Sequence, residues 1–126
     1  MIVDSSAIVA IIRHESGWTE LKDRLLSSRD ARISAGTMIE LQMVTDRPKL
    51  REGFAELIVE AALEIIPVDA RQVELAYDGF RRFGKGRHPA GLDFGDLFAY
   101  ALARALDEPL LYVGTDFGLT DVRSAV

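Results

Sequence analysis

Four short apolar runs separated by paired helical stretches limit what this chain can fold into. The runs are "MIVD" (1–4), "ARISAG" (31–36), "IIPV" (65–68) and "PLLYVG" (109–114). Each is too short for a helix and is bounded by turn or capping residues, so each reads as a strand, with "IIPV" a short buried one. Two helical stretches lie between each run and the next. The first pair is "SSAIVAIIRHE" and "SGWTELKDRLLSSR", whose Trp18, Leu21, Leu25 and Leu26 form an apolar stripe. The second is "TMIELQMVTD" and "KLREGFAELIVEAALE", with Pro48 suited to a first helical turn. The third is "DARQVELAYDGFRRF", with Asp69 as its N-cap, then the loop "GKGRHPAG" and the helix "GLDFGDLFAYALARALDEP". The order β-α-α-β-α-α-β-α-α-β predicts one α/β domain over residues 1–126, with a mainly parallel central sheet flanked by helices on both faces.

Composition narrows the chemistry. At 126 residues, 48% hydrophobic and 28% charged, the chain is long enough for a core and not disordered in character. No apolar run reaches the length of a membrane span. The start "MIVDSSAIVAII" lacks a basic region and carries an acid at position 4, so no signal peptide is expected and the setting is cytoplasmic. The absence of cysteine excludes disulfides, thiol nucleophiles and thiolate metal sites, and two histidines argue against zinc. Oxygen ligands remain. The net charge of −5 is a poor match for gripping nucleic acid by bulk electrostatics. The charge is uneven, however: "RRFGKGRH" gathers Arg81, Arg82, Lys85 and Arg87, and "RPKLR" gathers three more cations.

In a parallel α/β sheet, chemistry collects at the carboxyl ends of the strands. Asp4 ends the first strand and Asp116 follows the last by way of Gly114 and Thr115. Glu40 lies in about the first turn of the helix after "RISAG". Asp96 lies in the first turn of the helix after the glycine-rich loop, which must carry the chain back to the carboxyl edge. Each acid also has a structural reading. Asp4 is a good N-cap, Asp93 and Asp96 are spaced as a capping box, Glu40 can sit on a solvated helix face, and Asp116 can belong to a turn. Together they are the oxygen set that a hard divalent cation requires. Two carboxylates about 6 Å apart repel by roughly 3 kcal/mol at an effective dielectric near 20. Without a cation, such a cluster raises some of its pKa values and holds protons. Mg²⁺ or Mn²⁺ relieves the repulsion while keeping waters for phosphoryl chemistry.

"MIVDSSAIVAII", the Glu40 of "SAGTMIEL", "LDFGDLFAYALA" and "LLYVGTDFGLTDV" resemble, in this order and from end to end, the PIN domain, specifically the VapC toxins of toxin–antitoxin pairs. The resemblance implies a Mg²⁺- or Mn²⁺-dependent endoribonuclease whose acidic quartet is Asp4, Glu40, Asp96 and Asp116. Asp4 and Asp96 would hold the principal ion, Asp116 would complete its shell or hold a second, and Glu40 would bind directly or through water and orient the attacking water. Ser5, Ser6 and Thr115 are candidates to support these acids, with helix capping as their structural alternative. Arg81, Arg82, Lys85 and Arg87 are candidates to steer the RNA substrate, or else belong to a solvated loop. The resemblance also implies a homodimer held inactive by a cognate VapB-like antitoxin, and no membrane association. "FAELIVEAALEII" gives a weak hint of a dimer surface, with core packing the default. Many relatives carry Asn at the position of Asp93 and Cys at that of Leu97; neither departure removes one of the four acids.

Other classes fit less well. A receiver domain needs a lysine after its last strand, which "LLYVGTDFG" lacks, although "IIPVD" offers an acid. A haloacid-dehalogenase-like phosphatase needs Asp-x-Asp at the first strand, where this chain has "DSS". A non-catalytic PIN-like interaction module is the remaining alternative.

Overall fold

The computed structural model describes residues 1–126. Its strands are β1 (Ile2–Val3), β2 (Arg32–Ser34), β3 (Glu64–Ile66) and β4 (Leu110–Leu111). Its helices are α1 (Ser5–Ile12), α2 (Trp18–Leu26), α3 (Ala35–Val44), α4 (Pro48–Ala61), α5 (Ala70–Phe83) and α6 (Phe94–Leu106), followed by a 3₁₀ turn at Phe117–Leu119. The strands form one sheet in the order β3-β2-β1-β4, and every pairing is parallel. The α/β fold with helices on both faces is therefore as the sequence predicts.

The two-residue period of the strands divides the core. Ile2 and Leu110 point to one face and pack with Ala99, Tyr100, Leu102 and Ala103 of α6. Val3, Ile33 and Leu111 point to the other and meet Ile8, Ile11, Leu21, Leu25, Phe54 and Leu57 from α1, α2 and α4. Helix α3 belongs to both layers: its Met38 and Leu41 join the second cluster, and its Gly36 abuts the ring of Phe98 on α6.

Two details differ from the sequence reading. The "ARISAG" strand stops at Ser34 instead of running to the glycine, because the Ser34 hydroxyl accepts from the Gly36 amide at 3.2 Å and caps α3 there. Glu40 consequently sits in the second turn of α3. The "IIPV" run is not a buried strand: β3 lies one residue earlier, at the sheet edge, and Ile65 is 50% exposed. Pro67, with no N–H to donate, ends it.

This topology fixes where side chains can meet. The chain runs outward from β1 through β2 to β3, then returns to place β4 on the opposite side of β1. The crevice between the carboxyl ends of β1 and β4 is the switch point of the sheet.

Candidate active site

Asp4 leaves β1 at that switch point, with its amide bonded to the Leu111 carbonyl at 2.9 Å. The capping reading of this residue accounts for one of its two carboxylate oxygens. Oδ2 caps α1, accepting from the Ser6 amide at 3.0 Å and the Ser6 hydroxyl at 2.6 Å. The same hydroxyl accepts from the Val113 amide at 3.0 Å, so Ser6 ties the exits of β1 and β4 together around the acid. Oδ1 is buried and has no hydrogen-bond partner. An orphaned carboxylate oxygen is costly unless something outside the chain satisfies it.

Asp96 and Glu40 line the same cleft, with Asp93, Ser5 and Ser6. Asp93 and Asp96 form a reciprocal capping box: Asp93 Oδ1 accepts from the Asp96 amide at 2.9 Å, and Asp96 Oδ2 accepts from the Asp93 amide at 3.0 Å. The loop at 84–91 is held by bonds from the Leu92 amide to the Phe83 carbonyl and from the Lys85 amide to the Leu92 carbonyl, both 2.9 Å. It thereby delivers the start of α6 to the cleft.

The electrostatics follow from burial. The Asp4 carboxyl is raised above its ordinary value, first by burial and further by Glu40, while the Ser6 bonds pull it down. Asp96 is pushed up to about 7, first by burial and then by the charges of Asp93 and Asp4, against the lowering bond from the Asp93 amide. The cleft therefore holds negative charge reluctantly. No three acids or histidines are spaced as a finished ion site. The donor chemistry nonetheless fits a hard divalent cation: carboxylate oxygens only, one of them buried without a partner.

The remaining sequence candidates are distributed differently. Asp116 begins the 3₁₀ turn, is exposed, and lies outside the lining of this cleft, as does Thr115. Arg82 is engaged in ion pairs with Asp78 at 3.2 Å and Asp121 at 3.1 Å. Arg81, Lys85 and Arg87 are exposed and form no ion pair. In "FAELIVEAALEII", Phe54, Leu57 and Ala61 pack in the core, while Val59 and Ile65 are exposed.

The sequence singles out neither Arg13 nor Gly95. Arg13 lines the cleft as a cation without an ion pair. Its signal was the i, i+4 series Ser5, Val9, Arg13, one face of α1. Gly95 lies between Phe94 and Asp96, and a Cβ there would overlap the Glu40 carboxylate. A glycine in the first turn of a helix, next to an acid, marks that close approach.

The PIN domain family model matches residues 1–122. Ribonuclease VapC42 of Mycobacterium tuberculosis is 43% identical, over 99% of this chain and 98% of that protein. Ribonuclease VapC28 of the same organism is 44% identical, over 100% and 98%. Among solved structures, a toxin–antitoxin complex from Klebsiella pneumoniae superposes with a TM-score of 0.71 at 19% identity, covering 99% of this chain and 97% of that one. VapBC2 from Rickettsia felis, bound to a DNA fragment of its promoter, gives 0.70 at 16% identity, covering 93% and 89%. The shared architecture, the near-complete coverage and the acids at the switch point lead to one assignment: the chain belongs to the PIN domain family, among the VapC ribonucleases.

Proposed function

We propose that this protein is a divalent-metal-dependent endoribonuclease, the toxin of a VapBC-type pair. The observation that carries the reading is the orphaned, buried Oδ1 of Asp4 in a cleft shared with Glu40 and Asp96. Asp4 and Asp96 would hold Mg²⁺ or Mn²⁺, with Glu40 binding directly or through water and Asp116 as an outer member. When bound, the ion supplies a water of lowered pKa and offsets charge developing on the phosphate.

The chain's own residues do the rest. Ser6 holds Asp4 Oδ2, so that Oδ1 is left for the cleft. The capping box fixes the start of α6 and with it Asp96. The Glu40 carboxylate, held against Gly95, orients the water for attack on the phosphodiester. Arg13, unpaired at the rim, engages a phosphate oxygen of the RNA; Arg81, Lys85 and Arg87 steer the strand. Arg82 contributes least, since two acids already match its charge.

A VapB-like antitoxin would silence the site by placing a basic side chain among these acids, where charge-assisted bonds are strongest. A homodimer is the assembly that this family reading implies. No helix is long and apolar enough to cross a membrane, and the substrate we propose is cytoplasmic RNA. The test is incubation of purified protein with end-labelled single-stranded RNA, with Mg²⁺ or Mn²⁺ and then with EDTA. Metal-dependent internal cleavage is expected. RNA left intact under every metal condition would favour a non-catalytic interaction module.

A further inference from the structure

Beside the carboxylate cleft, and sharing Asp93 with it, runs a second groove of about 430 Å³ between α5 and the start of α6. Its walls are aromatic: Tyr77 and Phe80 on α5, Phe94 on α6. Tyr77 is 61% exposed and Phe94 78%, so neither is committed to the core. Its rim is cationic. The Arg81 guanidinium lies over the Tyr77 ring at 5.7 Å, Arg87 lies over Phe80 at 4.6 Å, and Lys85 lines the groove.

In a chain of net charge −5, these three cations have no acidic partner while the neighbouring Arg82 has two. The exposed rings of Tyr77 and Phe94, beside cations that no carboxylate neutralises, match a polymer that offers flat apolar bases and a phosphate on every residue. A duplex keeps its base faces stacked, so only an unpaired strand can use such a surface. An acidic peptide would satisfy the groove alone. A single RNA strand satisfies both halves, bases in the groove and the scissile phosphate in the adjoining cleft.

We propose that the Tyr77–Phe80–Phe94 groove is a base-stacking subsite for single-stranded RNA, seating a nucleotide next to the phosphate that is cut. The proposal rests on the ribonuclease reading for its position in the reaction, but binding tests it separately. A single-stranded RNA decamer carrying 2-aminopurine, whose fluorescence is quenched by stacking, is titrated in EDTA at low salt. The parent is expected to quench the probe. Tyr77→Leu combined with Phe94→Leu should abolish the quench and weaken binding roughly 5- to 100-fold. At limiting RNA in Mg²⁺, the double variant's kcat/KM should fall by about the factor by which its binding weakens. Lys85→Gln with Arg87→Gln should flatten the salt dependence of binding by roughly 0.7 in log–log slope for each phosphate no longer neutralised.

Parent protein that quenches the probe but never cleaves it would sink the ribonuclease reading and leave the groove standing. Parent protein that cleaves RNA without quenching, or a double variant that binds as tightly as the parent, would overturn the groove and leave the ribonuclease. A double variant that sediments as a smaller species, with RNA affinity intact, would assign the surface to a protein contact and also overturn the proposal.

Discussion

Two charge clusters stand on this molecule and treat their acids in opposite ways. Around Asp121, every charge has a partner: its carboxylate accepts from Arg82 at 3.1 Å, Arg104 at 2.8 Å and the Tyr100 hydroxyl at 2.9 Å. Arg104 also bonds the Tyr100 oxygen at 2.7 Å, and Arg82 reaches Asp78. The Tyr100 hydroxyl is pushed up to about 12, first by burial and then by its bond to Asp121. This cluster is closed and needs nothing from outside, and it ties the chain after the 3₁₀ turn to α5 and α6. In the Asp4 cleft, one oxygen is orphaned and the carboxyls of Asp4 and Asp96 are raised by burial and by neighbouring acids. Paired charge serves the architecture, whereas unpaired charge of one sign is kept where a ligand supplies the other.

The contrast is broken most severely at Asp4. Asp4→Asn keeps the capping acceptor for Ser6 but replaces the free anionic oxygen with an amide. Cleavage of end-labelled RNA is expected to fall on the order of 10³-fold, with thermal stability unchanged or raised. Activity within a few-fold of the parent would remove Asp4 from the site.

Gly95→Ala comes next. The added Cβ displaces the Glu40 carboxylate, the far end of a flexible side chain, so the fold tolerates it while the geometry does not. A loss of about 100-fold in kcat is expected, as for a misplaced reacting group. On a Glu40→Ala background the same change should be harmless and slightly stabilising, as alanine is in a helix. A Gly95→Ala protein with full activity would mean that Glu40 needs no fixed position.

The other cluster should respond in the opposite sense. Asp121→Asn is expected to cost about 1 kcal/mol in urea unfolding, discounted for its partial exposure, and to leave cleavage intact. A large loss of activity without loss of stability would erase the distinction between the two clusters.

The smallest effect is a pH slope. Asp96 rises from 3.8 to about 7 on folding, so the native state holds its proton over a range where the unfolded chain has released it. Stability of the metal-free protein is therefore greatest at the acid end of that window. It declines as pH rises towards 7. Asp96→Asn should flatten the slope, and added Mg²⁺ should reverse it near neutrality. A midpoint that climbs over that range in EDTA would contradict the raised carboxyl.

Much of this was legible in the sequence because the signals are local. Apolar runs of strand length, capping residues and crossover helices give a parallel sheet, and the ends of its strands give Asp4. The capping box of Asp93 and Asp96 was readable from spacing alone. The burial of β3 is not legible, because an apolar run does not say whether a strand lies in the centre or at the edge of its sheet. The turn that carries Glu40 is legible only approximately, because Ser34 and not Gly36 caps α3. Gly95 abuts Glu40 of a separate helix, and Arg13 shares a cleft with residues of α3 and α6, which spacing along one helix hardly records. The pairing of Arg82 with Asp121 spans 39 residues, and no local pattern announced that its charge was already spent.

The central claim is that the Asp4 cleft is completed by a cation from outside the chain. Titrating Mn²⁺ into the protein, and following loss of the free-ion signal by electron paramagnetic resonance, tests it without reference to any substrate. The parent is predicted to bind Mn²⁺ at or below millimolar concentration, and Asp4→Asn and Asp96→Asn to lose that binding while remaining folded. A folded parent that leaves Mn²⁺ free, or an Asp4→Asn protein that binds it as well as the parent, would contradict the account.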